Sequence, residues 1–226
     1  MQRLHPSMIS LAVCLAALAG FVDALAYSSL GGFFASFMSG NSTRLGVAIA
    51  AGLSGEIRMA GALILSFVSG VMLATVIARR WPRQQQAAVM IAVTILLTLA
   101  AAITEARQDT RALLLLAAAM GAENGAFMRD GEVSVGLTYM TGSLVRMAQR
   151  LAGALMGDAD RWVWMRYLLL WLGFVSGVVM GGSCFAAFDT RALWLAAGAA
   201  AVLTIAIATI ARRPQPAGPW GFRAAG

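Results

Sequence analysis

The stretch Phe37-Met38-Ser39-Gly40-Asn41-Ser42-Thr43-Arg44-Leu45-Gly46 comes back, shifted by 102 positions, as Tyr139-Met140-Thr141-Gly142-Ser143-Leu144-Val145-Arg146-Met147-Ala148. Two further matches flank it. Upstream, Ala16, Gly20 and Ala24 align with Ala117, Gly121 and Gly125, and Asp23 falls on Asn124. Downstream, Phe67-Val68-Ser69-Gly70-Val71 is repeated identically as Phe174-Val175-Ser176-Gly177-Val178. The offsets rise from 101 to 107, as loop growth after a duplication produces. The segments near Thr98 and Thr204 match in composition only. The chain therefore reads as two copies of one design, repeat one over residues 7–106 and repeat two over 110–211, within a single membrane domain spanning 1–226.

Composition names the solvent of that domain. With 60% hydrophobic and 12% charged residues and a mean hydropathy of +0.77, the chain lacks the charge that a water-facing surface requires. Six apolar stretches have about the length needed to cross some 30 Å of hydrocarbon as helices. They run roughly over 8–30, 59–78, 87–103, 112–127, 167–188 and 192–211. Two shorter segments, Leu45 to Leu53 and Leu144 to Met156, would rise only about 15 to 20 Å as helix, so they read as re-entrant or half-helices. An odd number of crossings in each half makes the second copy enter from the opposite side. The expected fold is thus an all-α integral membrane protein of about six transmembrane helices, arranged as two inverted three-helix repeats, each with a short re-entrant helix.

The formal charge of +7 is informative by position, because cytoplasmic loops collect cations. All 17 basic residues are Arg. Six crossings put twelve of them, including Arg79, Arg80, Arg83, Arg161 and Arg166, on one side, and leave Arg44, Arg58, Arg107, Arg111 and Arg191 on the other. Both termini are therefore expected in the cytoplasm, with a disordered tail over 212–226. The basic character reflects topology and contact with anionic headgroups. No soluble domain or basic groove speaks for nucleic acid.

Arg3 and the apolar run after it imitate a signal peptide, but cleavage would remove residues that have counterparts in the second half. Cys14 and Cys184 fall in apolar spans and suggest packing rather than redox chemistry. His5 stands alone, so no metal centre is expected. Small-residue stripes, such as Ala12, Ala16, Gly20 and Ala24, or Gly173, Gly177 and Gly181, let helices approach closely in lipid. Trp81, Trp162 and Trp194 read as interfacial anchors.

Chemistry is expected at the doubled cassette. Gly40 would permit a turn into a new helix, whose free amides Asn41 or Ser42 would cap. Arg44 would then lie in the first turn, where the helix dipole favours a nearby anion. Two arrangements supply one. In the first, Asp23 pairs with Arg44, and Glu123 with Arg146, pinning each loop. In the second, Asp23 or Glu123 takes up and releases a proton or cation, while the Gly40-Asn41 and Thr141-Gly142 turns hold a substrate. Tyr27, Asn124 and Tyr139 would line the same cavity. Asp23 and Glu123 could form a carboxylate pair only where the first helices of the two halves touch. A serine, metal or aspartyl enzyme would need a constellation that the sequence does not offer.

The runs Gly20-Phe21-Val22-Asp23-Ala24, Tyr27, Gly31, Phe33, Met38-Ser39-Gly40-Asn41, Glu123-Asn124-Gly125 and Tyr139-Met140-Thr141-Gly142 resemble the YoaK-like family of bacterial multi-pass membrane proteins. The resemblance covers about Ser7 to Ala211 and implies an inner-membrane protein of about six helices, without implying an activity. Ser39 stands where that family usually has Thr, and Glu123-Asn124-Gly125 where it has Gln-Asn-Ala, which adds an acid. The functional expectation is a transporter or channel for a small solute or ion, without cofactor, embedded in lipid and able to form homo-oligomers. The alternative is a membrane assembly or regulatory protein in which the repeat serves packing alone.

Overall fold

In the computed structural model, residues 6–107, 110–129, 132–133, 138–158 and 161–212 are described. The expected tail beyond Arg212, and Arg3 and His5, lie outside them. Among the described residues, eight α-helices follow one another: α1 (Pro6–Ser29), α2 (Met38–Ala51), α3 (Ser54–Arg80), α4 (Gln85–Arg107), α5 (Leu114–Glu123), α6 (Met140–Leu155), α7 (Trp164–Phe188) and α8 (Leu193–Arg212). A two-residue antiparallel pairing of Met128–Arg129 with Glu132–Val133 is the strand structure among the described residues.

Among the described residues, four stretches are long and apolar enough to cross a membrane: Ile9–Ser29, Ser54–Arg80, Pro82–Ala106 and Trp164–Ile210. The last contains α7 and most of α8, which are separated by a 3-10 turn over Asp189–Ala192. α5 is shorter than the 112–127 crossing expected for it: ten residues of α-helix, with 3-10 turns over Thr110–Leu113 and Asn124–Phe127. Leu65, Met72 and Val76 on α3, Ile91 and Ile95 on α4, and Val202 and Ile205 on α8 all point outward. An apolar outer belt of this kind is unfavourable in water and suits lipid. This is a membrane protein. Cys14 belongs to that outward face and is not buried, as its place in an apolar span had suggested.

The two long interhelical seams are built alike. α1 meets α7 through Val13 at Gly173, Ala17 at Gly177 and Phe21 at Gly181, so the two helices run in the same sense. α3 meets α5 through Ser66, whose hydroxyl donates to the Leu114 carbonyl at 2.7 Å, then Gly70 at Ala118 and Ala74 at Gly125. A Cβ on Gly20 would strike the Phe174 carbonyl, and one on Gly121 the Phe67 carbonyl. Since Gly20 corresponds to Gly121 and Phe174 to Phe67, these are one contact made twice, across halves in both cases. The small-residue stripes thus do what stripes do in lipid: they bring backbones into contact. A third seam joins α4 to α8, where the hydroxyls of Thr94 and Thr204 lie 3.0 Å apart. Thr98, which composition had matched to Thr204, donates instead to the Thr94 carbonyl of its own helix.

Between α1 and α2 the chain doubles back. Ser36, just before α2, reaches Asp23, which lies six residues, or about 9 Å, inside the end of α1. Arg44, in the second turn of α2, donates to the Gly31 carbonyl just beyond that end, at 3.0 Å. α2 therefore climbs again in the sense of α1. Gly52 then takes a left-handed conformation, φ 69°, that lets its own amide and that of Leu53 close onto the Ile49 and Ala48 carbonyls, and the chain turns into α3. Arg79 and Arg80 lie in the last turn of α3, where cations suit the helix dipole, and Pro82 follows.

Candidate functional site

Asp23 is buried and organises the first hairpin. One carboxylate oxygen accepts the backbone N–H groups of Ala35 at 2.8 Å and Ser36 at 2.6 Å, and the other accepts the Ser36 hydroxyl at 2.6 Å. These are charge-assisted bonds of the stronger kind. They displace the expected ion pair with Arg44. The Arg44 guanidinium instead donates to Gly31, meets Glu56 at 3.3 Å and lies 3.9 Å from the centre of the Phe33 ring. The reason is depth. Asp23 sits about 9 Å inside α1, level with the start of α2, whereas Arg44 stands two turns higher, beside the end of α1 and the first turn of α3.

Asn41 is fully buried and caps nothing. Its side-chain oxygen accepts the Phe34 N–H at 3.0 Å and its amide donates to the Phe34 carbonyl at 2.7 Å, so one side chain satisfies both backbone groups of a residue in the extended segment. Phe37 stands at the N-terminal boundary of α2 without a side-chain cap, and the Ser42 hydroxyl donates to the Met38 carbonyl. Gly40 lies inside α2 and makes no turn. A Cβ there would run into the ring of Phe37, which packs edge-on against Phe34 with centroids 5.2 Å apart. The turn falls to Gly31 and Gly32, with φ of 63° and 91°.

The second hairpin repeats the plan with weaker fastenings. Thr138, the counterpart of Ser36, donates its hydroxyl to Asn124 at 3.3 Å, and Asn124 donates to the Met120 carbonyl. Thr141, Gly142 and Arg146 are exposed on α6, as is Tyr139 (69% exposed), and Gly142 has room for a Cβ. Glu123 makes no ion pair with Arg146. Both its carboxyl oxygens are buried without a hydrogen-bond partner.

A cavity of about 530 Å³ lies where the hairpins approach α1 and α7. Asp23 and Tyr27 from α1, Ser36 and Phe37 from the first hairpin, Thr138 and Met140 from the second, and Phe174 and Val178 from α7 line it. It has Asp23 and residues at the start of the second cassette in one wall. Asn41 and Thr141 are not among its lining residues, and the wall is mainly apolar and aromatic. Tyr27 is 53% exposed and its ring stands 5.3 Å from that of Phe34. Of the residues the pattern singles out, the structure brings Asp23 and Tyr27 to this cavity and leaves Gly40, Arg44, Tyr139, Gly142 and Arg146 outside its wall. Ser36, Phe34 and Thr138 enter without having been singled out. Extending the repeat one residue upstream pairs Ser36 with Thr138, and that shared hydroxyl is the signal for two of them.

Among known proteins, the family model described as "Protein of unknown function (DUF1275)" matches residues 11–206. A UPF0700 transmembrane protein, RA0705 of Rhizobium meliloti (strain 1021), is 36% identical over 207 residues, covering 92% of this chain and 89% of that protein. The UPF0700 transmembrane protein YoaK of Bacillus subtilis (strain 168) is 26% identical over 159 residues, covering 67% of this chain and 71% of its own. No solved structure matches. With a family match over most of its length, and relatives that are transmembrane proteins, the chain belongs to the DUF1275 family, of which YoaK is a relative.

Proposed function

We propose that the protein is an inner-membrane transporter or channel for a small solute or ion, built as two inverted three-helix repeats, with its site in the cavity between them. The cavity carries the reading: it lies where both hairpins converge on α1 and α7, and a buried carboxylate forms part of its wall. Inverted repeats commonly place a binding site between the halves. Supporting the inversion, α2 follows the sense of α1, so α3 opposes it; α5 runs with α3 and α7 with α1. On that account α1 and its counterpart α5 are antiparallel. Supporting the sixth crossing, the helical stretch over 110–127, with its 3-10 turns, rises about 30 Å. The Arg distribution puts both termini in the cytoplasm.

The test is solute flux across liposomes containing the purified protein, in wild type and in Val178→Trp, which fills the cavity from α7. Wild-type flux that Val178→Trp abolishes at least tenfold, with monodispersity kept, supports the reading; flux unchanged by the filling overturns it.

One observation favours the packing alternative. Asp23 already holds three hydrogen bonds, as a fastening residue does. Under that alternative wild type moves no solute, and a partner protein copurifies with it.

A further inference from the structure

Glu123 ends α5 with its side chain 0% exposed, and neither carboxyl oxygen has a hydrogen-bond partner. Among the described residues, the Thr104 hydroxyl is the other buried side-chain oxygen so placed. The two omissions differ in weight. A lone hydroxyl loses a modest interaction, whereas an ionised carboxylate with no partner in a dry core is not sustained. Asp23, the other buried carboxyl group among the described residues, is met by three donors within 2.8 Å. Glu123 receives none.

Among the described residues no cation pairs with it. α1 and α5 touch, and Asp23 is the ionisable group within electrostatic reach of Glu123, adding negative charge rather than relieving it. On the other helices packed against α5, Glu56, Arg58, Arg79 and Arg80 of α3 and Glu105 of α4 are exposed or half-exposed near the helix ends. Arg111 precedes the opposite end of α5.

We propose that Glu123 is a proton-binding site at the contact between the first helices of the two halves, and that a proton is the ion whose movement drives or accompanies the solute. The site rests on geometry alone; the coupling role rests on the transport reading above. A hard metal cation in a dry site requires several oxygen ligands around it. The described residues hold no group of three or more His, Cys, Asp or Glu that could hold a metal, and no hydrogen-bond partner for Glu123. A proton needs one oxygen. On loading, an oxygen of Glu123 forms an O–H bond with a proton given up by a hydronium ion, leaving water and the neutral acid; release returns the proton to water. Asp23 lines the cavity and Glu123 is not among its lining residues.

Infrared spectroscopy of the purified protein tests the site, through the carbonyl band of a protonated carboxylic acid. At neutral pH, wild type should show such a band, shifted when the protein is labelled with ¹³C-glutamate and missing from Glu123→Gln. The isotope shift needs no variant, so it stands whether or not Glu123→Gln folds. A wild-type spectrum without a glutamate acid band, or a band that survives in folded Glu123→Gln, overturns the proposal. Liposomes loaded with pyranine, under a potassium diffusion potential set by valinomycin, test the coupling. Proton uptake should be seen in wild type and fall tenfold or more in Glu123→Gln. The expected band together with no wild-type uptake would keep the proton site and overturn the coupling role.

Discussion

Phe37 and Tyr139 lead into α2 and α6 with nearly the same backbone, φ −86° and ψ 74° against φ −87° and ψ 60°. Each follows a hydroxyl residue that bonds back to the first helix of its own half. In the first hairpin, the Ser36 hydroxyl and two backbone amides converge on a carboxylate at 2.6 to 2.8 Å, Asn41 binds both backbone groups of Phe34, and Arg44 ties the outer end to Gly31 and Glu56. In the second, the matching bond runs from Thr138 to a neutral amide at 3.3 Å, and the residues matching Gly40 and Arg44 face outward. The two hairpins share a backbone path and matching helix seams but differ in their polar fastenings.

The largest effect should come from cutting the two fastenings at their roots. Asp23→Ala strands the Ala35 and Ser36 amides and the Ser36 hydroxyl in a buried place, and should lower stability by about 3–5 kcal/mol, the range seen when one partner of a buried charged network is removed. Asn124→Ala removes the long bond from Thr138 and the bond to the Met120 carbonyl, neither involving a charge, and should cost about 1–2 kcal/mol. Unfolding of the purified proteins in detergent, followed by circular dichroism, reads both. Equal losses would mean that the hairpins are fastened alike and would sink the comparison.

A finer contrast lies in the glycines. Gly40→Ala drives a Cβ into the Phe37 ring and against Phe34, so the cost of overpacking, about 1–3 kcal/mol, outweighs the gain of about 1 kcal/mol from better helix propensity. Gly142→Ala meets only the Tyr139 Cβ at 3.9 Å, an ordinary contact, and should stabilise α6 by about 0.5 kcal/mol. The same unfolding measurement should therefore move in opposite directions for two residues that the repeat aligns. A loss at Gly142 as large as at Gly40 would show that the second cassette is packed as tightly as the first.

The sequence carried the fold further than the site, for a physical reason. Apolar length and small residues every fourth position determine which helices form and which faces meet, and Gly20, Gly70, Gly121 and Gly177 are found at the close backbone approaches such stripes imply. The repeat pointed to the doubled hairpin because equivalent glycines and hydroxyls recur at a steady offset. Pairing partners were less legible. Asp23 and Arg44 look complementary on paper, but opposite charges meet only where depth along the helices agrees, and the extended segment before α2 brings Ser36 rather than Arg44 to the level of Asp23. Nor does a sequence reveal that Asn41 serves a backbone seven residues earlier. Such a bond depends on the course of the loop, and loops have no periodicity to read.

The smallest effect should separate Arg44 from Arg146, the residues that make the cassettes look most alike. The Arg44–Glu56 pair spans 3.3 Å between partly exposed side chains, a setting in which ion pairs contribute about 0–1 kcal/mol and lose strength with salt. Stacking of the guanidinium on Phe33 adds about 0.5–1 kcal/mol that salt screens less. Arg44→Ala should therefore lower stability by about 1 kcal/mol at low salt and by somewhat less at high salt, whereas Arg146→Ala should leave it within about 0.5 kcal/mol of wild type, as exposed positions do. Unfolding in detergent at two salt concentrations makes the distinction. A salt-dependent loss at Arg146 matching that at Arg44 would mean the second guanidinium has found an equivalent anchor, and the two hairpins would then differ in their carboxylate alone.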